Sequence, residues 1–142
     1  MKTFTLAIIS LAFFASCSGS RQLATPNENF QLGGEWQLEK INGQSSEQIS
    51  ARKKPFIRFD EVENRISGST GCNSFSGPLK FTDNSIDLNQ PFMMTKMFCE
   101  GVDEARFMHT LERGTKFQFM NENILQIKNG DTVLMEFSRV KV

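Results

Sequence analysis

From Gly34 onward the apolar residues of this chain alternate with polar ones at a period of two, and a single segment departs from that period. Alternate side chains point to opposite faces of a strand, so such a chain builds short strands with one buried face. Trp36 and Leu38 share a face, and Asn42-Gly43 marks a turn. Residues 45–54 are polar and irregular. Pro55, Ile57 and Phe59 then alternate, and residues 60–64 make a charged turn. Ile66, Gly68, Thr70 and Cys72 form the next face, while Phe75, Gly77, Leu79 and Phe81 continue with the opposite parity. A parity change needs a tight turn or a bulge, which places one between Gly71 and Ser74. Beyond the turn signal Asp83-Asn84 come Ile86 and Leu88, then Met93, Thr95, Met97 and Cys99. Phe117 and Phe119, Leu125 and Ile127, and finally Val133, Met135 and Phe137 complete the pattern, with Asn129-Gly130 as a hairpin signal.

The exception spans residues 103–113. There Glu104, Phe107, Met108 and Leu111 recur at helical spacing. Asp103 and Glu104 suit a first turn, Arg113 a last turn, and Gly114 a C-terminal cap. The expected fold is mainly β (α+β): a small curved antiparallel sheet, or a barrel-like fold, of about eight strands with one helix packed on it. Fourteen Phe, one Trp and no Tyr suit a Phe-packed interior.

The N-terminus reads as export machinery. Lys2 precedes an apolar run over residues 4–14, broken only by Thr5 and Ser10, and small Ala15 and Ser16 lead to Cys17. The run is shorter than the roughly 20 residues a membrane span needs. Phe14-Ala15-Ser16-Cys17 resembles a lipobox, the site where signal peptidase II cleaves and the new N-terminal Cys carries acyl chains. The expected organisation is a signal peptide at 1–16, lipidated Cys17 with a flexible tether over 17–33, and one domain at 34–142. The expected location is extracytoplasmic, lipid-anchored to a membrane. Ser18, in place of an inner-membrane retention Asp, favours the outer membrane of a diderm cell.

Charge excludes one class of partner. The chain has 16 basic and 16 acidic residues, and loss of Lys2 with the signal leaves a side-chain charge of −1. No basic stripe remains to follow a phosphate backbone, so no nucleic acid partner is expected.

The segment Ile66-Ser67-Gly68-Ser69-Thr70-Gly71-Cys72-Asn73-Ser74-Phe75-Ser76-Gly77 resembles the signature of the META domain, the family of HslJ-type heat-shock lipoproteins. Thr95-Lys96-Met97-Phe98-Cys99 is similar to that family's T-x-M-x-C element. Trp36-x-Leu38 and the Phe- and Leu-rich C-terminal hairpins also fit, so the resemblance covers roughly residues 34–139. On this resemblance Gly71, Cys72, Asn73, Phe75, Gly77, Thr95, Met97 and Cys99 are motif residues of structural role. It implies a mainly β fold with a helix, an envelope location, an association with stress or virulence, and no established reaction.

Once Cys17 is lipidated, Cys72 and Cys99 remain, and an oxidising compartment would let them pair. Both fall on the expected interior faces of strands. The alternative is two reduced cysteines acting as small buried hydrophobes. A nucleophilic site from Cys72, Asn73 and His109 would need a base within hydrogen-bond reach. The single His lies off the apolar stripe of its helix, which suits an exposed side chain. Met93, Met94, Met97 and Cys99 are soft donors of the kind copper(I) accepts, but methionine also fills irregular cores. Neither catalytic residues nor a metal or cofactor site is expected. The function expected is a non-catalytic binding or structural module of the cell envelope with a protein partner. The alternative is a carrier holding a small apolar ligand in a barrel-like cavity.

Overall fold

The computed structural model describes residues 30–141; the expected signal peptide, Cys17 and the expected tether as far as residue 29 lie outside the described residues. The strands are β1 (Gly34–Ile41), β2 (Gln44–Ser45), β3 (Phe56–Asp60), β4 (Arg65–Ser69), β5 (Ser74–Pro78) and β6 (Lys80–Thr82). They continue with β7 (Ser85–Asp87), β8 (Met93–Met94), then helix α1 (Glu104–Glu112), β9 (Lys116–Asn121), β10 (Ile124–Asn129) and β11 (Thr132–Arg139). All pair antiparallel in the order β6-β7-β9-β10-β11-β1-β3-β4-β5-β8, with β2 attached to β1.

The sheet is a curled half-barrel. β6 opens the strand order and β5 stands near its far end, yet only Leu79 separates them along the chain. The sheet therefore bends back toward its own start. The strand number exceeds the expected eight because Leu79 divides one alternating run into β5 and β6, and because the irregular stretch adds the two-residue β2. The turns at Asn42-Gly43, at residues 60–64 and at Asp83-Asn84 stand where the sequence places them, with Asn42, Asn64 and Asp83 all at positive φ.

Alternation decides the core. Trp36, Leu38, Ile57, Ile66, Leu125, Ile127 and Phe137 are buried in one cluster with Phe107 and Leu111 of α1. The helix begins where Asp103 caps it, accepting from the Arg106 N–H at 3.1 Å, and Gly114 N–H closes it onto the Leu111 carbonyl.

Four expectations change. Residues 93–99 are not one strand; only Met93–Met94 pairs with β5, because the backbone of Met97 is held by a side chain instead. Cys72 and Cys99 lie in loops, half-buried, not on interior strand faces. Val133 points outward, 39 % exposed, because a bulge opposite Ile127/Lys128 inserts Leu134 and reverses the parity of β11. The last part of the expected tether is packed: Leu32 is buried, its carbonyl accepts from the Trp36 indole N–H at 2.8 Å, and Phe30 packs edge-on against Phe119. Phe30 and Leu32 extend the period-two pattern of β1, the signal that marks this earlier boundary.

Candidate functional site

β4 and β5 are joined by residues 70–73, and this turn is built from the family-like motif. Gly71 has φ of 96°, and a Cβ there would lie 2.7 Å from the Lys53 carbonyl and from Ser50, so only glycine fits. Thr70 is fully buried. Its hydroxyl accepts from the backbone N–H of Asn73 at 3.0 Å and of Cys72 at 3.3 Å. It donates to Glu104 Oε2 at 2.7 Å, which ties the turn to the first turn of α1. The N–H of Asp103 reaches the Ile49 carbonyl, and Ser50 bridges Val102, so the 46–53 stretch closes the other side.

Asn73 is the centre of the arrangement and is 1 % exposed. Its Oδ1 accepts from Met97 N–H at 2.8 Å and from Thr95 Oγ1 at 2.7 Å. Its Nδ2 donates to the Met97 carbonyl at 2.9 Å. The amide thus replaces a neighbouring strand for Met97, satisfying both backbone groups at once. Thr95 completes the link, because its hydroxyl accepts from Ser74 N–H at 3.1 Å. Cys72 and Cys99 form a disulfide across the same gap, with Cα atoms 5.9 Å apart. Hydrogen bonds and a covalent bond therefore hold residues 95–99 against the 70–73 turn.

What this clamp holds faces water. Phe98 is 93 % exposed, Met97 60 % and Met93 69 %. Alternation places Met93 and Met97 on an inner face, yet both are exposed, so the apolar surface they make on this cross-linked segment is not foretold by it. A sequence signal does exist: Phe98 is apolar but out of phase with Met97 and Cys99. The Thr70–Glu104 link has no such signal, since 34 residues separate the pair.

The structure brings Gly71, Cys72, Asn73, Thr95, Met97 and Cys99 together. Phe75 and Gly77 stand behind them in the sheet. Phe75 packs on Phe92 and Phe107, and Gly77 makes room for the Phe92 ring, 2.8 Å from where its Cβ would be. Cys72 and Cys99 are consumed in the disulfide, so neither supplies a thiolate to a nucleophilic site or to a soft-metal set. His109 is exposed on α1. Among the described residues, no three His, Cys, Asp or Glu side chains are grouped to hold a metal ion.

Register also orients the site. Gly34 pairs with Phe59 at one end of β3, beside the 60–64 turn. Phe56, at the other end, pairs with Ser69, which leads into the clamp. The N-terminal segment and Phe98 therefore lie toward opposite ends of the sheet.

The sequence pattern of the META domain matches residues 28–141. The chain belongs to the META domain family. That match covers every described residue, and its start agrees with the packing of Phe30 and Leu32. A small protein solved by NMR resembles this META domain with a TM-score of 0.55 and 25 % identity, over 74 % of this chain and 88 % of the other. No curated protein sequence matches it. The META family is non-catalytic.

Proposed function

We propose that this META domain is a non-catalytic binding module, exported and held to a membrane through acylated Cys17, whose partner surface is the clamped segment carrying Met97 and Phe98. One observation carries the reading: a buried Asn, a buried Thr, a glycine at positive φ and a disulfide converge to hold a segment whose phenylalanine is 93 % exposed. Burial of such a side chain is worth about 1.5–3 kcal/mol, and a preorganised segment loses little entropy on docking.

The favoured partner is an envelope protein, not the anchoring bilayer. The chain enters the packed domain at Phe30, beside Gly34 and toward the end opposite Phe98. The attachment point and Phe98 therefore stand at opposite ends of the domain, which leaves Phe98 free to meet a protein partner while the anchor is engaged. Ser18 favours the outer membrane in a diderm cell, and the family resemblance supports a link to stress. The carrier alternative has less support, because Trp36, Phe59, Phe107 and Phe137 fill the interior.

A photo-crosslinking amino acid placed at Phe98 in intact cells tests the surface. A discrete protein adduct is expected there and not from the same probe at Glu63. Lipid adducts at position 98, or equal adducts at both positions, overturn it. The anchor is tested separately by intact mass. The mature chain should begin at Cys17 with acyl chains, and an unmodified N-terminus elsewhere refutes it.

A further inference from the structure

A cleft of about 380 Å³ opens beside residues 30–32, and none of the clamp residues lines it. Phe30, Phe81, Phe117 and Phe119 form its wall, and the exposed carboxylates Glu61 and Asp83 stand in its lining. The four rings make a continuous row. Phe30 meets Phe119 edge-on at 5.7 Å, Phe119 meets Phe117 at 5.8 Å, and Phe117 meets Phe81 at 6.4 Å. Phe117 and Phe119 belong to the core, each 4 % exposed, while Phe30 and Phe81 at the ends of the row are only partly buried and offer most of the aromatic surface to the cleft. No lysine or arginine lines the cleft. Arg139, on the far side of the 30–33 segment, is already engaged: it stacks on Trp36 at 4.0 Å and donates to the carbonyls of Gly33 and Glu122.

We infer that this cleft binds a small organic cation with an apolar shell, of the quaternary ammonium or alkylammonium class. Aromatic faces attract cations through the ring quadrupole, and quaternary ammonium groups shed their water most readily. The carboxylates in the lining add a negative field that focuses in a concave site, and Asp83 carries more of it, because Glu61 already accepts from the Gly33 N–H and lies within the field of Arg139. The volume lies at the small end of ligand cavities, matching a group of a few carbons around one nitrogen. A hydrated inorganic ion would lose oxygen ligands against four phenylalanines. An apolar neutral ligand would desolvate the carboxylates without compensation. An anion would be repelled. The same repulsion acts on the phosphate of a zwitterionic lipid headgroup, which favours a free cation as the source.

The test titrates the full mature chain, followed by amide resonances, with choline, its neutral carbon isostere 3,3-dimethylbutanol, and glycerophosphocholine. Choline should shift the amides of Phe81, Phe117 and Phe119 and bind about tenfold tighter than the isostere. Asp83→Asn, a residue that also tolerates the positive φ of position 83, should weaken choline several-fold without affecting the isostere. Phe81→Ala should weaken it too. Choline binding tighter than glycerophosphocholine identifies a free cation; the reverse identifies a headgroup. Equal affinity for choline and the isostere overturns the proposal, as does no shift with choline at about 50 mM.

Discussion

Replacing Asn73 with alanine isolates the non-covalent half of the clamp. The side chain makes three short hydrogen bonds at 2.7–2.9 Å, two to the backbone of Met97 and one to Thr95, besides a weak one at 3.6 Å to Cys72 Sγ. Each contributes about 0.5–1.5 kcal/mol net. Met97 is 60 % exposed, so water reaches its backbone once the amide is gone, and the larger penalty of a buried orphan group does not apply. The loss is therefore about 3 kcal/mol, or a fall in melting temperature of about 10 °C for a domain this size. The disulfide should keep residues 95–99 nearby, so the fold persists while protection of the Met97 amide against hydrogen exchange is lost. Asn73→Asp sharpens the test. The new carboxyl keeps two acceptor positions but faces the Met97 carbonyl with a second oxygen. Burial and that repulsion raise its folded pKa above the unfolded value of about 3.9, so its destabilisation should lessen as pH falls through the raised pKa. A thermal melt of Asn73→Ala within about 0.5 kcal/mol of wild type, with Met97 still protected, refutes the clamp.

Reducing the Cys72–Cys99 bond releases a loop with a sequence separation of 27. Chain entropy predicts a cost of about 3.5 kcal/mol, read as a drop in melting temperature, while near-native spectra should survive below the new transition because Asn73 still holds Met97. Gly68→Ala should lower stability by more than about 3 kcal/mol or abolish folding, since its Cβ would lie 2.2 Å from the Phe56 carbonyl and 2.7 Å from the Phe75 ring; soluble yield and denaturant melts report it. On β1, burial raises the Glu39 carboxyl pKa, but hydrogen bonds from Lys54 and Ser138 outweigh it and leave the group below its ordinary range. On β11, hydrogen bonds from Gln126 and Lys40 lower Glu136 likewise. Their stability is present above about pH 4.5 and lost as pH falls through the folded values, so melts at pH 3 to 7 should decline at the acid end, less so for Glu136→Gln.

Most of the strands along the chain and the α-helix follow from local rules visible in the sequence. Period two, Asn-Gly and Asp-Asn turn signals, and the acidic start of residues 103–113 depend only on near neighbours, so sequence alone determines them. The glycine and asparagine of residues 71–73 were legible as motif residues, and the parity change between Ile66 and Phe75 located the turn they make. Three features were not legible, each for the same reason. The split at Leu79 arises because the two halves of one run pair with different partners, β4 and β7. Val133 turns outward because a bulge is a property of two strands in register, not of one. Met97, placed on an inner face with Cys99 by alternation, is 60 % exposed because Asn73, 24 residues earlier, takes the hydrogen bonds that a neighbouring strand would otherwise supply to it. Alternation assigns a residue to a face, but which face meets solvent depends on the partner that satisfies its backbone. Only tertiary contact chooses that partner.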